Sequence, residues 1–136
     1  MSHKVIRSLF EQRLAVWAAA RGLRIAYQGV SFDPEPDETY LGAFTLPAGT
    51  NTNTLSGDHR AYTGVFQANV VTPAGNGTGD AEGLVDDLGD LFPAFLRLRQ
   101  DNFEVMVLTP VEPGPPIQGD NTLTVSASFQ YRADTN

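Results

Sequence analysis

Apolar residues recur at helical spacing near the start of the chain. They share one face of a helix that Ser2 can cap, and they are Ile6, Leu9, Phe10, Leu14 and Trp17. Alanines between positions 15 and 20 favour the same helix, and Gly22 is well placed to end it. The pattern therefore predicts a first helix from about Ser2 to Arg21, with Trp17 as a core anchor.

Strict alternation of side chains predicts two long β-strands. In residues 59–72 one face carries Tyr62, Gly64, Phe66, Ala68 and Val70, whereas the other face is mixed. Residues 122–132 alternate in the same way, with the apolar series Leu123, Val125, Ala127, Phe129 and Tyr131. A glycine weakens the interior of a strand, so Gly64 indicates a bulge or close packing at that point.

Shorter alternating segments predict the rest of a sheet. Residues 23–28 and 40–46 each read as a strand. Residues 97–100 and 103–108 flank Asp101-Asn102, a pair typical of a hairpin turn.

A second amphipathic helix is predicted to begin at Asp80. Asp80 can cap it, and Glu82 favours its positive end. The residues expected on its buried face are Leu84, Val85, Leu88, Leu91, Phe92 and Phe95. Pro93 should end or kink it.

Two segments lack the pattern of a helix or strand. Residues 47–58 are small and polar and predict a long mobile loop, and residues 110–120 are rich in proline and predict a rigid one. Residues 133–136 are expected to be disordered. With two helices among several strands, we expect residues 1–136 to form a single α+β domain, in which both helices pack on one face of a mainly antiparallel sheet.

Composition excludes several classes of site. The chain has no cysteine, which rules out a disulfide framework, a thiolate nucleophile and a cysteine-ligated metal. Its net charge of −7 argues against reading nucleic acid directly. No apolar run approaches the roughly 20 residues that cross a bilayer, and no signal-peptide core is evident.

The charge is unevenly distributed along the chain. Residues 1–24 contain five basic residues and one acidic residue, whereas residues 33–38 and 80–90 contain only acidic charges. These stretches are typical of solvated faces and helix ends. Charge complementarity between neighbouring copies is the alternative interpretation.

The glycine-rich segment from Gly75 to Gly79 lies between a strand and a helix, where phosphate-binding loops occur. It lacks the lysine and hydroxyl residue of a nucleotide loop and the spacing of a dinucleotide loop. Asp80 and Glu82 would also repel a phosphate at the start of the following helix. We therefore interpret the segment as a structural turn.

Other polar residues do not form a recognisable catalytic or metal site. Asp86, Asp87 and Asp90 lie near one another on a helix, but the sequence places no further ligand beside them. His59 is not accompanied by a nucleophile elbow, and the carboxylates near Asp33 lie in an exposed, proline-broken stretch. We expect no enzymatic activity, no metal and no cofactor.

The chain resembles the tail terminator-like proteins of long-tailed bacteriophages and prophages. The resemblance is carried by the helix SHKVIRSLFEQRLAVWAAARGL and strand RIAYQGVSF, by TYLGAFTLPAG, by the centre GDHRAYTGVFQANVVTPAGNGTGDAEGLVDDLGDLFP, and by the closing strand TLTVSASFQYRAD. It covers nearly the whole chain and rests on the order and spacing of elements.

The resemblance implies a structural virion protein. Such proteins form a ring, usually a hexamer, on the last ring of the tail tube, stop its elongation and present the surface that joins the head. The implied partners are other copies of the chain, the tube protein and a head–tail connector protein. The implied locations are the bacterial cytoplasm during assembly and the virion tail.

A ring joins unlike patches, which suggests where this chain would contact itself. We expect Arg7, Arg13 or Arg21 of one copy to face Asp86, Asp87 or Asp90 of the next. The polar residues Asn51, Thr52, Asn53 and Thr54, within the loop 47–58, are expected to contact the tube or neck, as is the loop 110–120.

Three further interpretations of the sequence remain open. The chain could be another neck or head–tail completion protein, which would share its size and acidity. It could be a small-ligand binding domain or an unrecognised enzyme, for which a deep apolar pocket with converging polar groups would be the evidence. It could also be a degenerate prophage protein that folds without assembling.

Overall fold

A computed structural model describes residues 2–52, 55, 57, 59–75 and 77–135. Its helices are α1 (His3–Ala20) and α2 (Gly79–Leu91). Its strands are β1 (Arg24–Tyr27), β2 (Tyr40–Asn51), β3 (Arg60–Pro73), β4 (Arg97–Gln100), β5 (Phe103–Val107), β6 (Glu112–Pro113), β7 (Ile117–Gln118) and β8 (Thr122–Thr135).

Helix α1 ends where its glycine predicts. Gly22 has a positive φ of 69°, and its N–H donates to the Ala19 carbonyl while that of Leu23 donates to the Ala18 carbonyl. These two bonds satisfy carbonyls that the helix end would otherwise leave unpaired. At the other end Ser2 occupies the cap position, but its side chain makes no capping hydrogen bond.

Helix α2 begins one residue earlier than predicted and is shorter. Thr78 takes the cap position, and its hydroxyl donates to Glu82 Oε1 at 2.8 Å. Asp80 therefore lies in the first turn rather than at the cap. The helix ends at Leu91, so Phe95 does not belong to it. The apolar pattern predicted Phe95 on the buried face of this helix, and that prediction is wrong.

The strands form one curled sheet in the order β1-β2-β3-β8-β5-β4. β1 pairs with β2 in parallel, and every other described pairing is antiparallel. β3 and β8 pair without a register shift over their whole length, from Arg60 opposite Thr135 to Pro73 opposite Thr122. This long ladder is the centre of the fold.

Both helices pack on one face of this sheet. Phe10 of α1, Phe66 of β3, Phe129 of β8 and Phe92 after α2 form an aromatic cluster with ring centroids 5.0 to 6.0 Å apart. All four side chains are buried. The predicted α+β class, with two helices on one face of a mainly antiparallel sheet, is confirmed.

Strand β2 extends beyond its predicted end into the expected loop. Residues 47–51 remain paired with β3, and a register shift between Pro47 and Gly49 leaves Ala48 as a bulge. A bulge lets a strand accept a proline that would otherwise break its ladder. The part of the predicted loop 47–58 that lies before Thr52 is therefore strand.

The proline-rich segment 110–120 also differs from the predicted loop. β6 and β7 lie within it, and both pair with the first half of β8. The Gly114 N–H donates to the Ser126 carbonyl at 2.8 Å between them. The segment thus runs along the edge of β8, and prolines there limit pairing with a further strand.

At the chain end, β8 continues through Thr135, past the point where we expected disorder. Ala133 pairs with both Tyr62 and Val105 and is buried. Pairing on both sides holds this segment in the sheet, which sequence alternation alone did not show. Asn136 lies outside the described residues.

Candidate functional site

Two of the arginines expected at an interface contact α2 of their own chain. Arg13 Nε donates to the Leu91 carbonyl at 2.8 Å. Arg21 Nη2 lies 3.6 Å from Asp87 Oδ2, and its guanidinium lies over the Trp17 ring at 4.6 Å from the centroid. These contacts hold α1 beside α2.

Arg7 lies on the other side of α1. It pairs with Glu11, one helical turn on, at 3.8 Å, and it faces a depression whose far wall is Tyr27, Gln28 and Val30 at the end of β1. Burial raises the pKa of Glu11, and the nearby Arg7 partly offsets this rise. The Arg7 side chain remains substantially exposed in this position.

Asp86 and Asp90 lie on the outer surface of α2. This helix packs on β8, β3 and β6, whereas Arg7 faces the end of β1. Arg7 and these two aspartates therefore occupy different sides of the molecule. That separation is what a contact between unlike surfaces of neighbouring copies requires.

An open apolar groove of about 570 Å³ separates α1 from β4 and the end of α2. Its lining residues are Leu9, Gln12, Arg13, Val16, Trp17, Ala20, Leu91, Leu98 and Arg99. Val16 is 75% exposed although its side chain is apolar. In the sequence, Val16 is an apolar residue outside the apolar stripe of the first helix, and this position could have indicated an exposed apolar surface.

The connection between β1 and β2 is held by Arg24. Its guanidinium donates to both carboxylate oxygens of Glu38 and to the Asp33 carbonyl, and it lies 4.6 Å from the centroid of Phe32. The hydrogen bonds from Arg24, and then that from the Glu35 N–H, lower the pKa of Glu38 to about 2. The acidic connection is thereby fixed against the sheet while its other carboxylates face solvent.

The residues predicted to contact the tube or neck are only partly described. Asn51 is the last residue of β2 and pairs with Ala61, and Thr52 follows it. Asn53 and Thr54 lie outside the described residues. The preceding residue, Thr50, shares a hydrogen bond with His3 Nε2 at 3.3 Å, which ties this end of β2 to the start of α1.

The side chain of His59 contacts charged residues of β8. His59 Nε2 lies 2.9 Å from Asp134 Oδ1, and Arg132 binds the same carboxylate, so the histidine belongs to a charged cluster on the open sheet face. Among the described residues, no three histidine or carboxylate side chains are grouped to hold a metal ion.

No helix in the described ranges is long and apolar enough to cross a membrane.

Comparisons with known proteins point to one family. A family model described as "Phage tail terminator protein" matches residues 5–131. One solved structure shares 42% identity, covers 98% of this chain and 96% of its own, and has a TM-score of 0.83. A search of curated proteins found no match.

A more distant solved structure shares the fold. It is a chain from the virion of a native gene transfer agent particle, with 17% identity, a TM-score of 0.65, and coverage of 94% of this chain and 93% of that chain.

Proposed function

The chain belongs to the phage tail terminator family, and from that premise we propose that it caps the tail tube as a ring, ends tube elongation and provides the surface that joins the head. Membership of this family makes it a structural protein of a phage tail. We place its assembly in the bacterial cytoplasm and its final position in the virion tail.

The observation that carries this proposal is the extent of the family match. It covers residues 5–131, from the first helix to the closing strand, and so includes at least part of every described element. The likeness in fold to a chain of a gene transfer agent virion is consistent with a role in a particle.

The surface chemistry supports a ring built from unlike contacts. We propose that Arg7 of one copy faces Asp86 and Asp90 of the next, since these residues lie on different sides of one molecule. We propose that this contact also includes Arg13, Arg21 and Asp87, which hold α1 against α2 within one chain. A closed ring, for which we propose six copies, repeats one such contact by rotation.

We propose that the end of β2 and the residues after it contact the tube protein or the neck. The segment Asn51–Thr54 and the proline-rich segment 110–120 remain the candidates for these contacts. The remaining partner is a connector protein of the head, which would meet the face of the ring turned away from the tube.

Tail length measured by electron microscopy tests the proposed function. Particles assembled without this protein should carry tails that are longer than normal and are not joined to heads. Tails of normal length would contradict a terminator role. Tails of normal length that fail to join heads would instead identify another neck or head–tail completion protein.

A further inference from the structure

Phe95 adopts a backbone conformation that phenylalanine rarely adopts. Its φ is +70°, in the left-handed region, and its side chain is 69% exposed. The Leu96 N–H donates to the Pro93 carbonyl at 3.1 Å, which closes a tight turn with Phe95 at its third position. Glycine or asparagine normally occupies this position, because a left-handed φ crowds a larger side chain.

The hydrogen bonds around Phe95 define a bulge at the start of the hairpin. The Phe95 N–H donates to the Val107 carbonyl at 2.7 Å, and the Val107 N–H donates to the Leu96 carbonyl at 2.9 Å. Two residues thus oppose one, with the first in the left-handed region, an arrangement in which glycine is usual. A glycine at position 95 would make both bonds without strain.

Nothing within the described part of the chain accounts for the aromatic side chain. Phe95 is absent from the buried core, and its ring stacks on no other aromatic ring there. The monomer therefore carries both backbone strain and an exposed apolar ring at one position. Strain of this kind persists where it serves a contact or a mechanism.

The strand that follows Phe95 carries both apolar and basic side chains. Strand β4 begins two residues later, and Leu98 of that strand lines the groove with Val16 and Trp17. Arg99 also lines the groove, and it shares the single carboxylate of Glu104 with Arg97. Two arginines on one carboxylate leave an excess of positive charge along β4.

The opposite edge of the sheet has the complementary chemistry. β1 and β4 are the two ends of the strand order, and the connection from β1 to β2 returns along the β1 edge. That connection exposes Asp33, Glu35 and Asp37, with Pro34 and Pro36 between them. Proline rings pack well on aromatic side chains, and the carboxylates match the arginines.

We propose that Phe95 anchors a contact with a second copy of this chain, whose β1–β2 connection packs against Phe95 and the groove between α1 and β4. This proposal rests on the proposed ring and adds a second contact to the one proposed between Arg7 and α2. The contact joins unlike sides of the subunit, so it can be repeated around a ring.

The first test is to replace Phe95 by glycine in the full chain. Phe95→Gly should weaken self-association in analytical ultracentrifugation at least about tenfold, as for a central aromatic anchor. Because glycine relieves the left-handed strain, the melting temperature should stay the same or rise. A merely structural Phe95 would instead lower the melting temperature.

Ile117→Ser is the matched control. It removes an apolar side chain that is 67% exposed and that lies away from β4 and the groove, so it should leave self-association unchanged. The proposal would be overturned if both variants weakened self-association equally, or if Phe95→Gly left self-association unchanged. It would also be overturned if the wild-type chain stayed monomeric at every concentration.

The second test pairs Glu35→Lys with Arg99→Glu. Each variant alone should associate weakly, since Glu35→Lys places a positive charge against the basic surface and Arg99→Glu places a negative charge against the acidic one. A mixture of the two should restore assembly, because the variants can alternate around the ring, so that positions 35 and 99 carry opposite charges at every contact. A mixture no better than the single variants would overturn the proposed partner segment.

These results can be separated from a failure of the proposed function. If the wild-type chain assembles and Phe95→Gly assembles equally well, the ring stands and this contact is wrong. If particles lacking the protein have tails of normal length, the terminator role is wrong whatever the association measurements show.

Discussion

Tyr131 of β8 packs its ring directly on Gly64, the residue opposite it in β3. A Cβ at position 64 would lie 2.6 Å from Tyr131 Cζ and 2.6 Å from the Leu46 carbonyl oxygen, and closer still to the Tyr131 hydroxyl. Real Cβ atoms do not approach other atoms this closely. The missing side chain of Gly64 is thus what admits the ring of Tyr131.

Gly64→Ala should therefore destabilise the protein by about 1–3 kcal/mol, the cost of forcing an extra methyl group into a packed core. Chemical denaturation followed by tryptophan fluorescence would measure the loss in unfolding free energy. Gly49→Ala is the matched control in the neighbouring strand, since a Cβ there meets nothing within 4 Å. Equal stability of both variants would contradict the steric account.

The close packing at Gly64 was predictable from the sequence, because a glycine inside an alternating strand typically marks a bulge or a close approach of neighbouring groups. The helices and the two long strands were predictable for a similar reason, since each carries a local apolar pattern. The pairing of the segment 110–120 with β8 was not, because its prolines indicate a break in regular structure. That segment is positioned by tertiary contacts, its backbone pairing with β8 and the contact of β6 with α2.

The candidate surfaces were less predictable than the fold. The sequence showed that the first helix is basic and the second acidic, but it did not show that Arg21 and Asp87 meet within one chain. Phe95 was misplaced on a helix face, because an apolar residue at helical spacing after Leu91 gives no indication of a left-handed turn. Contacts that depend on tertiary structure have no counterpart in local periodicity.

His3 gives the protein a predictable response to mild acid. Its Nδ1 lies 3.0 Å from the Tyr131 hydroxyl, and its ring packs edge-on against Tyr62 at 5.2 Å between centroids. Burial lowers the pKa of His3 and raises that of Tyr131 to about 12. The imidazole is therefore held neutral, with a hydroxyl that stays protonated.

The sign of the effect follows from the direction of the His3 shift. Below the ordinary histidine pKa of 6.5 the unfolded chain binds a proton more readily than the folded chain does, so unfolding is favoured. The unfolding free energy should be constant above this pH and fall as the pH drops below it. His3→Gln should flatten that part of the profile, and an unchanged slope would show that another group is responsible.

The pairing of Arg24 with Glu38 predicts a second, more acidic titration. Glu38 has its pKa lowered to about 2, first of all by the hydrogen bonds from Arg24. Arg24→Ala should return the pKa of Glu38 towards its ordinary value of 4.5, which carboxyl-resolved NMR titration would measure.

In the wild type the paired carboxylate of Glu38 stabilises the folded chain above pH 4.5, and this contribution is lost as the pH falls through about 2. Arg97→Ala is the control, since it removes a hydrogen bond from Glu104 and not from Glu38. A Glu38 pKa that stays near 2 in Arg24→Ala would contradict the assigned cause.

The acidic surface of α2 can be tested without disturbing the pair of Arg21 and Asp87. The double variant Asp86→Lys/Asp90→Lys should block ring formation, because Arg7 of the neighbouring copy would then face two lysines. Its thermal stability should be retained, since both side chains are exposed and Asp90 lies in the last turn of the helix, where positive charge is favourable. Negative-stain electron microscopy and ultracentrifugation would give the assembly state.

Charge restoration separates a direct contact from a general effect of charge. Chains carrying Arg7→Glu, mixed with the Asp86→Lys/Asp90→Lys chains, should assemble again, because each contact would once more join opposite charges. Asp86→Glu/Asp90→Glu keeps the charge and should assemble normally. Rings formed by the lysine variant alone would remove these residues from the proposed contact.

The residues after β2 test the proposed contact with the tube. Because Asn51 is paired in the sheet, we confine the deletion to Asn53 and Thr54, which spares this pairing. Folding should be unaffected in thermal melts, and ring formation should persist, since neither proposed surface for self-contact includes this segment. Capping should weaken, so tails assembled with the variant should be longer and more varied in length than wild-type tails.

Replacing the same two residues by Gly-Ser keeps the length of the connection and distinguishes lost side chains from a shortened chain. If both variants set a normal tail length, these residues have no part in tube capping, and the segment 110–120 becomes the remaining candidate.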